Sequence, residues 1–261
     1  MERVAIGHIS VDSYASDALV ASLLEKAFTS ERTHLVATIN AQFYVLSSRE
    51  TPFRECLRRA EFLCADGISI ALAARWLSNQ SIQRTPGVDL IGRLCKAGAA
   101  QGLRVFFLGG KPGSADATAH ILKAENPGLH VAGVCCPAFG FERDPEQLQS
   151  VLSEIKAAQP HIVFVGLGAP KQEHFIDEYL RFLRVPVAVG VGGSFEMLSG
   201  QLRRAPLWLQ SIGMEWFFRF AQEPRRLWRR YCIGNAEFLW IVWGHYWRSR
   251  RLETQAQMLE P

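Results

Sequence analysis

Asp66 ends the apolar run of EFLCAD and precedes Gly67, while Thr38 and Asn40 end a second such run, RTHLVATIN. If the two runs are neighbouring strands, a carboxylate, a hydroxyl and an amide meet at one edge of a sheet. A carboxylate so placed can take the proton of an attacking hydroxyl, oriented by Thr38 and Asn40. Asp is also a preferred helix N-cap, and a helical pattern begins near Gly67, so capping accounts for Asp66 equally well.

Three glycine-rich turns carry the other candidates. In FLGGKPGSADATAH, Gly109 and Gly110 lead through Pro112, Gly113 and Ser114 into a helix, whose free N–H groups and dipole suit a diphosphate. A glycine pair that merely turns the chain is the plain alternative. In GLGAPKQEHFI, Gly166 and Gly168 allow close approach, Pro170 pre-sets the first helical turn, and Lys171, Gln172 and Glu173 crowd the helix N-terminus. A solvated first turn explains Glu173 but not the cluster. In VGVGGSFEMLSGQLRRAP, Glu196 is a second carboxylate, as well suited to its own turn as to a substrate. No DxD ends a strand and no His/Cys ligand spacing occurs, so neither a metal nor a cofactor is expected. A leaving diphosphate would then need guanidinium groups, whose forked donors match phosphate oxygens.

The elements that must position these residues follow a βαβ rhythm. RTHLVATIN, EFLCAD, RVFFLGG, LHVAGVC, HIVFVGLG and VPVAVGVGG read as strands, with helices between them at about 113–125, 144–158 and 170–182. The near-continuous apolar character predicts parallel strands covered on both faces. The expected fold is α/β, a Rossmann-like, mostly parallel sheet covered by helices, with ligands at the carboxyl ends of the strands.

The chain has 261 residues and a net charge of +4, and its charge is unevenly placed. Residues 1–202 carry 19 basic and 20 acidic side chains, whereas 203–251 carry ten arginines against three glutamates, together with six of the seven tryptophans. A boundary is therefore expected near Arg203. Residues 1–202 read as an α/β domain that carries the candidate catalytic residues and 203–261 as a helical, basic and aromatic appendage.

From Glu223 onward one or two amphipathic helices are expected, broken at Gly234-Asn235. A nucleic-acid reader would carry basic residues over the folded domain as well, so no nucleic-acid partner is expected. Trp and Tyr at a headgroup boundary, with Arg facing anionic lipid, predict an interfacial helix; packing of the same helix on its own domain is the alternative. Ile233 to Trp247 is too short to span a bilayer. The N-terminus has no signal-peptide pattern, and six cysteines without a CxxC pair fit a reduced, cytosolic setting.

Read in order, TINAQF, ADGISI, QRTPGVDL, FLGGKPG, GLGAPKQE, VGGSFEMLSG with RRAP, and EWFFRFAQEPRR resemble the WecG/TagA/CpsF family of bacterial glycosyltransferases, glycosyltransferase family 26, over about residues 4–232. The resemblance implies metal-independent, inverting transfer from a UDP-sugar to an undecaprenyl-diphosphate-linked acceptor in cell-surface or exopolysaccharide synthesis. The setting it implies is peripheral, on the cytoplasmic face of the bacterial inner membrane, with an anionic membrane surface as partner; a homo-oligomer is compatible with the sequence. By position Asp66 matches the family's proposed base, with Thr38 and Asn40 beside it. Arg84 and Gln172 fall on its polar pocket, and Arg219, Arg226 and Arg229 on basic tail positions that close over the donor diphosphate.

Glu196 stands where the family usually has Asp, which leaves the donor sugar open among N-acetylmannosamine, its uronic acid and glucose. Two alternatives compete. A nicotinamide-dependent oxidoreductase lacks the strand-ending acidic residue expected about twenty residues beyond the glycine turn. A non-catalytic, membrane-recruited UDP-sugar sensor would bind the donor without turnover.

Overall fold

The runs expected to be covered strands are strands. The computed structural model describes residues 3–259, without the side chains of 249 and 252–259; the outermost ends of the two expected segments, 1–2 and 260–261, lie outside it. The chain opens with an antiparallel hairpin of β1 (Arg3–Ile6) and β2 (Ile9–Asp12). Four residues per strand are too few for a periodic signal, and the sequence pattern does not announce this hairpin.

The main sheet holds β3 (His34–Ile39), β4 (Phe62–Ala65), β5 (Arg104–Gly109), β6 (His130–Cys135), β7 (Ile162–Gly166) and β8 (Val187–Gly190). Its six strands are all parallel, in the order β4-β3-β8-β7-β5-β6. Successive residues of one strand enter opposite cores, as a pleated strand requires. Leu35, Ala37 and Ile39 of β3 face one apolar cluster while Val36 faces the other; Phe106 and Leu108 of β5 oppose Val105 and Phe107 in the same way.

Among the described residues ten α-helices belong to this part: α1 (Ser16–Thr29), α2 (Ala41–Arg49), α3 (Thr51–Arg59), α4 (Ile68–Ser78), α5 (Gly87–Ala99), α6 (Ser114–Glu125), α7 (Pro145–Ala158), α8 (Lys171–Phe175), α9 (Arg181–Leu183) and α10 (Ser194–Leu198). A π-helical turn, Ile176–Leu180, joins α8 to α9. Residues of α1, α5 and α6 build one core cluster and residues of α2, α3, α4 and α7 the other, so both faces of the sheet are covered, with the edge strand β6 half-buried. The chain steps from β3 outward to β4 on one side and from β5 outward to β6 on the other. Where the direction reverses, a crevice opens above the carboxyl ends of the strands.

The tail is mostly helical, with α11 (Leu207–Ser211), α12 (Glu215–Gln222), α13 (Pro224–Trp228), a π-helical turn at Arg229–Ile233, and α14 (Gly234–Leu259). The break expected at Gly234-Asn235 is thus a change of pitch rather than an interruption. One face of α14 packs on its own domain. Phe238 and Val242 are buried in the cluster that covers the sheet, Phe238 meets Tyr44 edge-on at 5.1 Å, and Tyr246 stacks on Trp76 at 4.9 Å. The opposite face leaves Leu239 and Trp240 exposed, Trp240 by 77%. Packing on the domain and an outward aromatic face therefore coexist on one helix. Among the described residues no helix is long and apolar enough to cross a membrane.

Candidate functional site

A cleft of about 1070 Å³ occupies that crevice, and the tail forms one of its walls. The floor is built from strand ends: Thr38 near the carboxyl end of β3 and Asn40 just after it, Asp66 after β4, Gly168 and Gln172 after β7, Gly192 and Glu196 after β8. The facing wall carries Glu215, Trp216, Arg219, Glu223, Arg226 and Arg230.

Asp66 reaches the floor because its N–H bonds the Ile39 carbonyl at 2.8 Å, which prolongs the β3–β4 ladder by one step. Its carboxylate caps nothing: the N-cap of α4 is Gly67, without any side-chain cap bond. Of the two readings left open by the sequence, capping is the one the structure does not realise. Burial raises the carboxyl pKa, opposed by a hydrogen bond from Asn40 and by the charges of Arg219 and Arg230. Asn40 performs two tasks at once, accepting from Gln42 N–H at 3.0 Å as the N-cap of α2 and donating through Nδ2 to Asp66 at 3.5 Å. Thr38 does not share in orienting Asp66. Its hydroxyl donates to the Gly190 carbonyl at 2.9 Å and ties β3 to β8.

Gln172 is buried at the start of α8, and its Oε1 accepts from Gly168 N–H at 3.1 Å and Gly192 N–H at 3.0 Å. One side chain thereby holds the two glycine turns at fixed separation. Glu196 accepts from the Lys111 backbone N–H at 2.9 Å, and its second oxygen is buried without a partner among the described residues. Arg84 continues the sheet edge beside Ala65 and donates to the Gln210 carbonyl of the tail at 2.9 Å. Arg219 lies against Gly193, where an added Cβ would meet Nη2 at 2.5 Å; its Nε is buried and has no hydrogen-bond partner among the described residues. Glu223 links two further cations, Lys111 at 3.1 Å and Arg226 at 2.5 Å.

Three expected groups lie elsewhere. Gly109 and Gly110 do not line the cleft: both have positive φ, and Gly110 N–H bonds the Gly166 carbonyl at 2.9 Å, so the pair turns the chain and joins two strand ends. Lys171 points away to Glu142 at 2.6 Å, over the Phe139 ring. Arg229 is exposed above Trp228, and its neighbour Arg230 takes the place in the cleft, where burial and the nearby Arg219 and Arg226 lower its pKa. Arg230 stands four residues after Arg226, but Arg229, at three residues, fits the same helical face, so spacing in the sequence does not choose between them. Lys111 and Glu223 gave no comparable signal. Among the described residues no three His, Cys, Asp or Glu side chains converge to hold a metal ion.

Against known sequences, the profile of the glycosyl transferase WecG/TagA/CpsF family matches residues 4–252, nearly the whole chain. The chain belongs to this family of glycosyltransferases. Two relatives named N-acetylglucosaminyldiphosphoundecaprenol N-acetyl-beta-D-mannosaminyltransferase are similar to it. The Bacillus subtilis protein is 29% identical over 79% of this chain and 78% of its own. The Bacillus spizizenii protein is 32% identical over 80% of this chain and 79% of its own. The family match extends past Arg230 and well into α14, so the cleft wall contributed by the tail is part of the glycosyltransferase. Neither the oxidoreductase nor the sensor alternative agrees with that membership.

Proposed function

We propose that this glycosyltransferase moves a sugar from a UDP-sugar to an acceptor carried on undecaprenyl diphosphate, with inversion at the anomeric carbon and without a metal ion. The observation that carries the reading is a carboxylate free of any capping role, Asp66, in a cleft whose other wall presents Arg219, Arg226 and Arg230. The acceptor hydroxyl gives its proton to Asp66 while its oxygen bonds the anomeric carbon. The bond from that carbon to the diphosphate oxygen breaks, and the electron pair leaves with UDP. The arginines meet the charge that develops on the departing diphosphate. Before the donor arrives, Arg219 and Arg230 hold down the pKa of Asp66; a bound diphosphate neutralises them and makes Asp66 the stronger base.

The acceptor class is supported by the names of the two relatives, whose substrate is an undecaprenyl-linked diphosphate. The cleft mouth suits such a lipid at the cytoplasmic face of a membrane. Exposed Leu72, Trp76 and Leu239, from α4 and α14, line the cleft, Trp208, Phe217 and Trp240 are exposed on α11, α12 and α14, and aromatic side chains of this kind favour a headgroup boundary. The donor sugar is to be chosen among the N-acetylmannosamine, N-acetylmannosaminuronic acid and glucose types. A panel of these UDP-sugars against one short-chain diphospholipid acceptor tests the reading. Product formed from one of them, with release of UDP and opposite anomeric configuration, supports it; retention of configuration or an absolute need for a divalent ion overturns the mechanism.

A further inference from the structure

Beneath the cleft floor lies a carboxyl group that the proposed mechanism does not use. Glu173 is fully buried, its Oε1 accepts from Gln172 Nε2 at 2.6 Å, and its Oε2 has no hydrogen-bond partner among the described residues. Gln172 can accept from Gly168 and Gly192 only while its amide oxygen faces them; a half-turn of the amide would set its NH₂ against two N–H groups and break both bonds. What fixes the amide is the acceptor on the other side, Glu173. The pair is also locked in place sterically. A Cβ added at Gly190 would lie 2.6 Å from Glu173 Oε1 and 2.7 Å from Gln172 Nε2, so β8 closes against them with no room to spare.

We infer that Glu173 is a positioning residue for the donor site: by accepting from Gln172 it orients the amide that clamps the Gly168 and Gly192 turns, and so sets the shape of the floor on which the nucleotide diphosphate rests. This deepens the donor-site reading above and rests on it. Glu173 acts here as a neutral acid. Burial pushes its pKa up to about 8, and among the described residues no cation is paired with it. The titratable group facing it from α3 is Cys56, which burial keeps protonated; Asp177, farther along its own helix, is committed to Arg59 and Arg181, and His174 sits beside Phe53. Ionisation of Glu173 would place an unpaired negative charge under an anion site.

The test uses the full chain and UDP as probe. Calorimetric titration compares wild type, Glu173→Gln, Glu173→Leu, Gln172→Leu and the Glu173→Leu/Gln172→Leu double variant at neutral pH. Glu173→Leu removes the acceptor and should weaken UDP binding about tenfold, whereas Glu173→Gln keeps an oxygen for Gln172 and should stay within about twofold. In the double variant the Glu173→Leu change should add little, because its effect passes through Gln172. Above about pH 8 wild type should lose affinity and Glu173→Gln should not, an outcome that decides the matter even if Glu173→Leu fails to fold. Wild-type affinity in folded Glu173→Leu, additive losses, or the same alkaline profile in wild type and Glu173→Gln would overturn the positioning role. Wild type that binds no UDP at any pH would instead overturn the donor-site reading itself.

Discussion

Replacing Glu173 by Gln measures what an unpaired buried carboxyl does to the stability of this fold. Burial raises the pKa of Glu173 from the ordinary 4.5 to about 8. Between those values the folded protein keeps a proton that the unfolded chain has lost. Protons bound in the unfolded state are then fewer than in the native state, so stability falls as pH rises. The full stability is present below the unfolded value and is lost progressively until the folded value is passed. At about 1.4 kcal/mol per pH unit, the loss is roughly 3 kcal/mol by pH 7 and approaches 5 kcal/mol above pH 8. Gln cannot ionise and lacks this slope. Its amide oxygen serves Gln172, and its NH₂ is left as partnerless as Oε2 is now, so the offset between the two proteins is constant at acid pH. Urea unfolding of both proteins at a series of pH values from 5 to 8 reads the difference directly. The variant should gain on wild type by about 1 kcal/mol or more for each pH unit. A constant difference across that range would mean that Glu173 ionises as if solvated, and would refute the account of its burial.

Other perturbations separate the parts of the cleft. Asp66→Asn should retain UDP binding and lose at least about a hundredfold in turnover, the usual worth of a general base; turnover near wild type would remove Asp66 from that role. Because the Asp66 pKa is raised by burial, the wild-type rate should fall with decreasing pH at a value above that of an ordinary aspartate, as a pH–rate profile will show. Arg230→Gln and Arg219→Gln should each weaken UDP binding about tenfold, while Arg229→Gln, exposed over Trp228, should change it little. Trp208→Glu combined with Trp240→Glu should reduce binding to anionic vesicles in a flotation assay and leave UDP affinity intact, since both side chains are exposed and neither is tied into the core. Phe238→Ala should lower unfolding stability by about 3 kcal/mol, because this tail residue is buried in the core of the α/β part.

The strands were legible in the sequence because burial on both sides leaves a continuous apolar run; all six such runs became the parallel sheet, although the edge strand β6 is only half-buried. The strand-end position of Asp66 was legible for the same reason. Its freedom from capping was not, since that depends on Gly67 occupying the N-cap and on backbone geometry that no residue type specifies. The glycine turns show the same division. Gly109 and Gly166 both announce tight turns, yet which turn faces the cleft depends on strand order, and residues far apart in the chain settle it. The arginine-rich tail declared its charge by composition, but the side chains that enter the cleft are selected by helical phase: the π turn starting at Arg229 leaves that residue outside and brings Arg230 in. The sequence by itself determined the layered fold, the carboxylate at the strand end and the presence of a basic, aromatic tail, because these follow from local pattern and composition. Only the tertiary structure decided that the tail is a wall of the cleft, that Gln172 clamps two turns, and that Glu173 stands behind it as a buried acid, because each depends on contacts between segments that lie apart in sequence.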